Sequence, residues 1–260
     1  MFFVELNGDE YVMKSCITYR CKFLTAFMSV FVCVFILLPT LAKAQSDVTH
    51  VILVRHGQTD YNLEGRWQGF LDIPLNDTGI RQAELLAESL KDVPIDVFIS
   101  SPLKRAYVTT EKCAQLHGKD IAYTDDRLKE INFGVWAGMK KTDVAKKYAE
   151  LNKLWEERPW LVKIPQGESI RELGNRYLEA LEDAARKYPG KTIFIGAHSL
   201  GNMALICKAL DISLVHFGQL GQDNTCVNVL EYKDGQWRLL LMNSISHTGK
   251  LYKKRIISVS

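Results

Sequence analysis

The sequence predicts an α/β sandwich with a mostly parallel central sheet. Three observations carry that reading. Short apolar, β-branched runs alternate with amphipathic stretches of helical period. Two of the runs stop abruptly on polar residues, Arg55-His56-Gly57 and His198-Ser199, as buried strands do at their carboxyl ends. No internal repeat or low-complexity linker divides the chain, so residues 45–260 read as one domain.

Each element follows in order. Val48 to Val54 reads as the first buried strand. Ile80, Ala83, Ala87 and Leu90 recur at helical spacing between the turn-prone Asn76-Asp77-Thr78-Gly79 and Pro94. Val97 to Ser100 is a second strand. A helix opens at Ser101-Pro102, with Ser as N-cap and Pro at the first position, and runs to about His117-Gly118. Glu168 to Tyr188 is the clearest helix: Ile170, Leu173, Tyr177, Leu181, Ala184 and Tyr188 make one apolar stripe, stopped by Pro189-Gly190. Thr192 to Ala197 is another strand, and Leu200 to Leu210 the helix after it. Cys226–Tyr232 and Trp237–Leu241 pair across the turn Lys233-Asp234-Gly235-Gln236.

The first 44 residues differ in kind. Lys14, Arg20 and Lys22 precede the uncharged run Phe23–Leu38, followed by Pro39 and by Leu41-Ala42-Lys43-Ala44-Gln45. A basic region, an apolar stretch and a small-x-small site predict a secretory signal cleaved after Ala44, and hence export; the alternative is a retained membrane anchor. The remaining cysteines, Cys113, Cys207 and Cys226, lack metal spacing and read as buried thiols, with one disulfide as the alternative. A formal charge of +3 with interspersed signs gives no footprint for a nucleic-acid partner.

Open α/β sheets bind ligands beyond the carboxyl ends of their strands, where His56 and His198 both fall. Arg55-His56-Gly57-Gln58-Thr59 with Asn62 resembles the opening signature of the histidine phosphatase superfamily, also called phosphoglycerate mutase-like. Pro74 to Gly79 with Gln82-Ala83, Ser100 to Ala106, Leu128 to Gly134 and Ala197-His198-Ser199 are similar to its later motifs, in the same order. The resemblance covers residues 48–242 and implies a three-layer α/β/α fold.

It also implies a site. His56 would attack phosphorus as the nucleophile and Glu130 would exchange protons with the leaving oxygen and water. Arg55, Arg105 and His198 would clamp the phosphoryl oxygens, with Asn62 and Gln68 as neutral donors. The chemistry suits the residue types, because phosphoryl transfer needs fixed positive charge and arginine forks grip phosphate bidentately. The expected helix start at Pro102 would add amide donors. The implied activity is metal-independent phosphomonoester hydrolysis on a phosphorylated small molecule, with no cofactor, and a membrane is involved only if the N-terminal segment is retained. The run Glu130 to Gly138 looks like the phosphatase version and no adjacent arginine pair occurs. Mutase-type transfer and a non-catalytic phospholigand binder are the alternatives. Residues 139–166, with Trp155 and Trp160, are either a cap over the pocket or a surface helix with two core tryptophans.

Overall fold

The computed structural model describes residues 48–250; the predicted signal and its cleavage site lie outside them. Six strands form one sheet in the order β3-β2-β4-β1-β5-β6. They are β1 (Thr49–Arg55), β2 (Val97–Ser100), β3 (Tyr123–Thr124), β4 (Thr192–Ala197), β5 (Val227–Lys233) and β6 (Gln236–Ser244). The first four are parallel neighbours, and β5 and β6 continue the sheet as an antiparallel hairpin. Asp234 and Gly235, both at positive φ, close that hairpin in two residues.

Alternation along β1 sends Val51 and Leu53 to one face and Ile52 and Val54 to the other, and all four are buried. Ile52 and Val54 meet Leu86, Ala87, Cys113 and Ala114, which belong to α2 (Asp77–Leu90) and α3 (Lys104–Leu116). Val51 and Leu53 share the larger core with α6 (Ile170–Lys187) and α7 (Ser199–Ala209). A sheet covered on both faces explains why its central strands are continuously apolar. The short helices α1 (Asp60–Leu63), α4 (Lys141–Lys147) and α5 (Ala149–Glu157) lie in the connections. No helix among the described residues is long and apolar enough to cross a membrane. Cys113, Cys207 and Cys226 are buried free thiols.

Two expectations need correction. The helix after β2 begins at Lys104, not at Pro102, and its N-cap Leu103 makes no side-chain cap bond. Ser101 is instead drawn to His198, whose Nε2 lies 2.8 Å from the Ser101 hydroxyl. Ile80 is exposed; the buried stripe of α2 is Ala83, Leu86 and Ala87.

The start of α2 is pressed against the loop leaving β1. Asn76 caps the helix through Gly79 N, and Asn76 N and Gln82 Oε1 bond the backbone of Gln58. A Cβ on Gly79 would stand 2.0 Å from Gln58 O, and one on Gly57 would stand 2.4 Å from Gly79 O. Only glycine permits this approach, which fixes the loop carrying His56. Gly79→Ala is therefore expected to lower stability by about 1–3 kcal/mol through overpacking. Urea denaturation should show a reduced midpoint with an unchanged slope; a wild-type midpoint would contradict the close approach.

Candidate active site

The register of the sheet assembles the site. Arg55 pairs with Ala197 across β1 and β4, so the next residue of each strand, His56 and His198, emerges at the same edge. His56 N donates to Ala197 O at 3.0 Å, and the two imidazole centroids stand 5.2 Å apart.

His56 is 3% exposed, and its Nδ1 lies 2.6 Å from Gly57 O. A carbonyl can only accept, so Nδ1 carries the proton and Nε2 is left with its lone pair. Burial, and then the charges of Arg105 and Arg55, hold the His56 pKa well below 6.5. His198 is fully buried and held low by burial first, with Arg105 the next cause. Its Nδ1 has no partner among the described residues.

The arginines are held by carbonyls. Arg105, near the start of α3, donates to Leu71 O and Gly69 O, both at 2.8 Å. Burial lowers its pKa to about 10, so it remains charged at neutral pH. Arg55 donates to Gln222 O at 2.6 Å. Thr109 Oγ1 bridges the two halves, accepting from Gly57 N and donating to Arg105 O. Glu130 is 7% exposed and meets the N-terminus of α7: its carboxylate accepts from Ile131 N, Leu200 N and Gly201 N. Arg176 on α6 reinforces this loop by donating to the backbone oxygens of Arg127, Lys129 and Glu130.

A cleft of about 150 Å³ is lined by Arg55, His56, Asn62, Gln68, Arg105 and Glu130, so six of the seven expected positions converge. His198 stands behind His56 and is not part of the lining. The Asn62 carbonyl accepts from Thr59 N and Asn224 Nδ2, which leaves its NH2 as the end available to an anion. Gln68 is buried, with Oε1 unpartnered among the described residues.

The expected amide site at the start of α3 is not available, because Lys104 N donates to Asp72 Oδ1 at 2.7 Å. Two of the other histidines have local duties: His117 bonds Cys113 O and Val93 O, and His247 bonds Thr225 Oγ1. Among the described residues no cluster of His, Cys, Asp or Glu could hold a metal ion.

Sequence reasoning missed several lining residues, among them Arg66, Trp67 and Lys141. Arg66 and Lys140 form an isolated antiparallel bridge that draws the 139–141 turn to the cleft, and Lys141 Nζ sits 4.6 Å from the Trp67 ring centroid. Burial, and then Arg55, lower the Lys141 pKa. The segment 139–166 thus takes something from each alternative, with Trp155 but not Trp160 in the core. Lys141 walls the cleft, and Trp155 packs at 5.6–6.1 Å from the rings of Trp67, Phe133 and Trp136.

Known proteins resemble the chain in sequence and in fold. The family model described as histidine phosphatase superfamily (branch 1) matches residues 51–245. Phosphoserine phosphatase 1 of Hydrogenobacter thermophilus is 35% identical over 78% of this chain and 95% of its own. The metal-independent phosphoserine phosphatase of Arabidopsis thaliana is 31% identical over 80% and 87%. The solved structure of Bacillus stearothermophilus YhfR superposes with a TM-score of 0.73 at 28% identity, covering 76% of this chain and 98% of that one.

The buried neutral histidines make stability depend on pH. Unfolded, each takes a proton near pH 6.5; folded, each does so only at lower pH. Between those values the unfolded chain binds more protons, so stability is complete above about 6.5 and falls as the medium is acidified. Two such groups give a limiting slope of roughly 2.7 kcal/mol per pH unit. Denaturant titrations from pH 7 to 5 should show this decline, and His56→Ala should remove about half of it. An unchanged slope in the variant would mean that His56 is not held neutral.

Proposed function

Because the chain belongs to the histidine phosphatase superfamily, we propose that it hydrolyses phosphate monoesters through a phosphohistidine on His56. The observation that carries the reading is the His56 Nδ1 bond to Gly57 O, which leaves Nε2 as a nucleophile beside two guanidinium groups. Nε2 attacks phosphorus in line, a P–N bond forms, and the P–O bond to the alcohol breaks. Glu130 gives its proton to the departing oxygen. It then takes one from water, whose oxygen displaces His56 and releases inorganic phosphate. Arg55 and Arg105 hold the three equatorial oxygens, Asn62 and Gln68 add amide donors, and His198, buried beside His56, backs the nucleophile instead of joining the clamp expected of it. A divalent cation at this place would meet two arginines and a single carboxylate, which favours a metal-independent route.

The substrate is a phosphorylated small molecule with a second anionic group. Lys141 brings positive charge to the cleft beyond what the phosphoryl group uses, while Arg66 is paired with Glu64, and the named relatives are phosphoserine phosphatases, whose substrate carries a carboxylate. We further propose export after cleavage behind Ala44, on the strength of the N-terminal sequence alone. N-terminal sequencing of secreted or periplasmic protein should begin near Gln45; a membrane fraction retaining residues 23–38 would favour an anchor.

His56→Ala is expected to abolish hydrolysis of p-nitrophenyl phosphate, and with it the acid-labile labelling of the wild type by a radiolabelled phosphoester. Undiminished turnover by the variant would end the phosphohistidine route. Wild-type activity should survive exhaustive dialysis against EDTA and be blocked by vanadate, which mimics the five-coordinate transition state. Loss on dialysis with recovery on added magnesium or zinc would overturn the metal-independent assignment.

A further inference from the structure

The residue that exchanges protons stands on a stretch with no regular structure of its own. Glu130 lies between the 3-10 turns Asp126–Leu128 and Gly134–Trp136 and belongs to no strand or helix. A general acid must keep its carboxyl within hydrogen-bond reach of the departing oxygen, and loops place side chains less precisely than helices and strands do. Here the loop is fastened to α6. Four consecutive carbonyls accept from two adjacent side chains of that helix: Arg127 O, Lys129 O and Glu130 O from the Arg176 guanidinium, and Leu128 O from the Tyr177 hydroxyl.

Glu168 sets the plane of the fork. Its carboxylate accepts from Arg176 Nε and Nη2, both at 2.8 Å, and from Asn132 N at 2.8 Å. Asn132 O in turn accepts from Glu168 N. A bidentate pair fixes the orientation of a guanidinium as a single contact does not. All five N–H bonds of Arg176 are then engaged, three by the loop and two by Glu168. From the other side, the amides of Ile131, Leu200 and Gly201 hold the Glu130 carboxylate. Tyr177 abuts that helix end too, because a Cβ on Gly201 would stand 2.0 Å from its ring.

We infer that Arg176, oriented by Glu168, is the positioning residue for proton transfer: it holds the backbone of Glu130 so that the carboxyl meets the oxygen leaving phosphorus. The inference rests on the phosphatase reading above. It makes a chemical demand that scaffolding alone does not. As His56 Nε2 forms its bond to phosphorus, the P–O bond breaks and the proton of Glu130 passes to the departing oxygen. The alkoxide of serine and the phenolate ion are bases that need this proton. The p-nitrophenolate ion is stable in neutral water and leaves without one. A misplaced Glu130 therefore slows transfer from phosphoserine and phenyl phosphate and spares p-nitrophenyl phosphate, whereas a general loosening of the fold slows all three alike.

Arg176→Met removes the fork and keeps an unbranched stem. The wild type and the variant are compared on the three esters by kcat/KM, which reports the first transfer, with urea midpoints to show that folded protein is being assayed. A positioned general acid contributes roughly 10²–10⁴-fold, so the variant is expected to lower the ratio of phosphoserine to p-nitrophenyl phosphate by about ten-fold or more, with phenyl phosphate between them. Glu168→Gln leaves the guanidinium in place but cannot accept from both Nε and Nη2. It should shift the ratio the same way by less, and it carries the test should Arg176→Met fail to fold. A loss shared equally by the three esters, or no loss, would overturn the positioning role while leaving the phosphatase reading intact. Wild-type protein inert on all three would overturn that reading and this inference with it.

Discussion

The structure depends on holding two charged guanidinium groups beside two buried imidazoles. Carboxylate partners would stabilise buried arginines more simply, but they would also neutralise the charge that a phosphoryl group must meet. Here Arg105 donates to Leu71 O and Gly69 O and Arg55 donates to Gln222 O, so carbonyl dipoles help to orient both groups. Burial first, and then the charges of these arginines, keep His56 and His198 neutral. Anion affinity and nucleophile protonation therefore share the arginine charges.

Much of the surrounding polar structure serves that arrangement. The carbonyl that holds Arg55 belongs to Gln222, whose side chain is locked by Asn202, Asn228 and Cys226, and Asn228 in turn donates to Leu53 O on β1. The carbonyl of Gly69 is placed by a residue at φ +56°, packed so that a Cβ would reach within 2.9 Å of Ile131 O. Backbone at a left-handed φ is thus used where a peptide oxygen has to face a guanidinium in a crowded space.

The sequence revealed the fold and most of the site because both follow from local patterns. Alternation of apolar runs with helical stripes located β1, β2, β4 and α6, and the strand ends located His56 and His198. What escaped depends on contacts far apart in the chain. Lys141 reaches the cleft through the bridge between Arg66 and Lys140, for which spacing offers no signal. The helix start was misplaced because Ser101 and Pro102 have the right types for an N-cap, yet the Ser101 hydroxyl is engaged by a histidine almost a hundred residues away. Ile80 has helical spacing, but at the edge of the stripe the sheet no longer covers it.

Several of the buried polar atoms without partners fall at the cleft, while Trp136 Nε1 and Asn202 Oδ1 do not line it. Among the described residues, Arg105 Nε, Gln68 Oε1 and His198 Nδ1 all lie within or behind the cleft, and Trp67 Nε1 belongs to its wall. Each unsatisfied group costs on the order of 1–3 kcal/mol in a folded interior. A globular core tolerates few such costs, and their concentration here marks a place where stability is given up for binding. The donors among them gain most from an oxygen-rich anion, and more from one with oxygens spread over a tetrahedron than from a planar carboxylate. Preorganised, desolvated donors already sit in the geometry that the charged ligand requires, so little reorganisation remains for the moment of transfer.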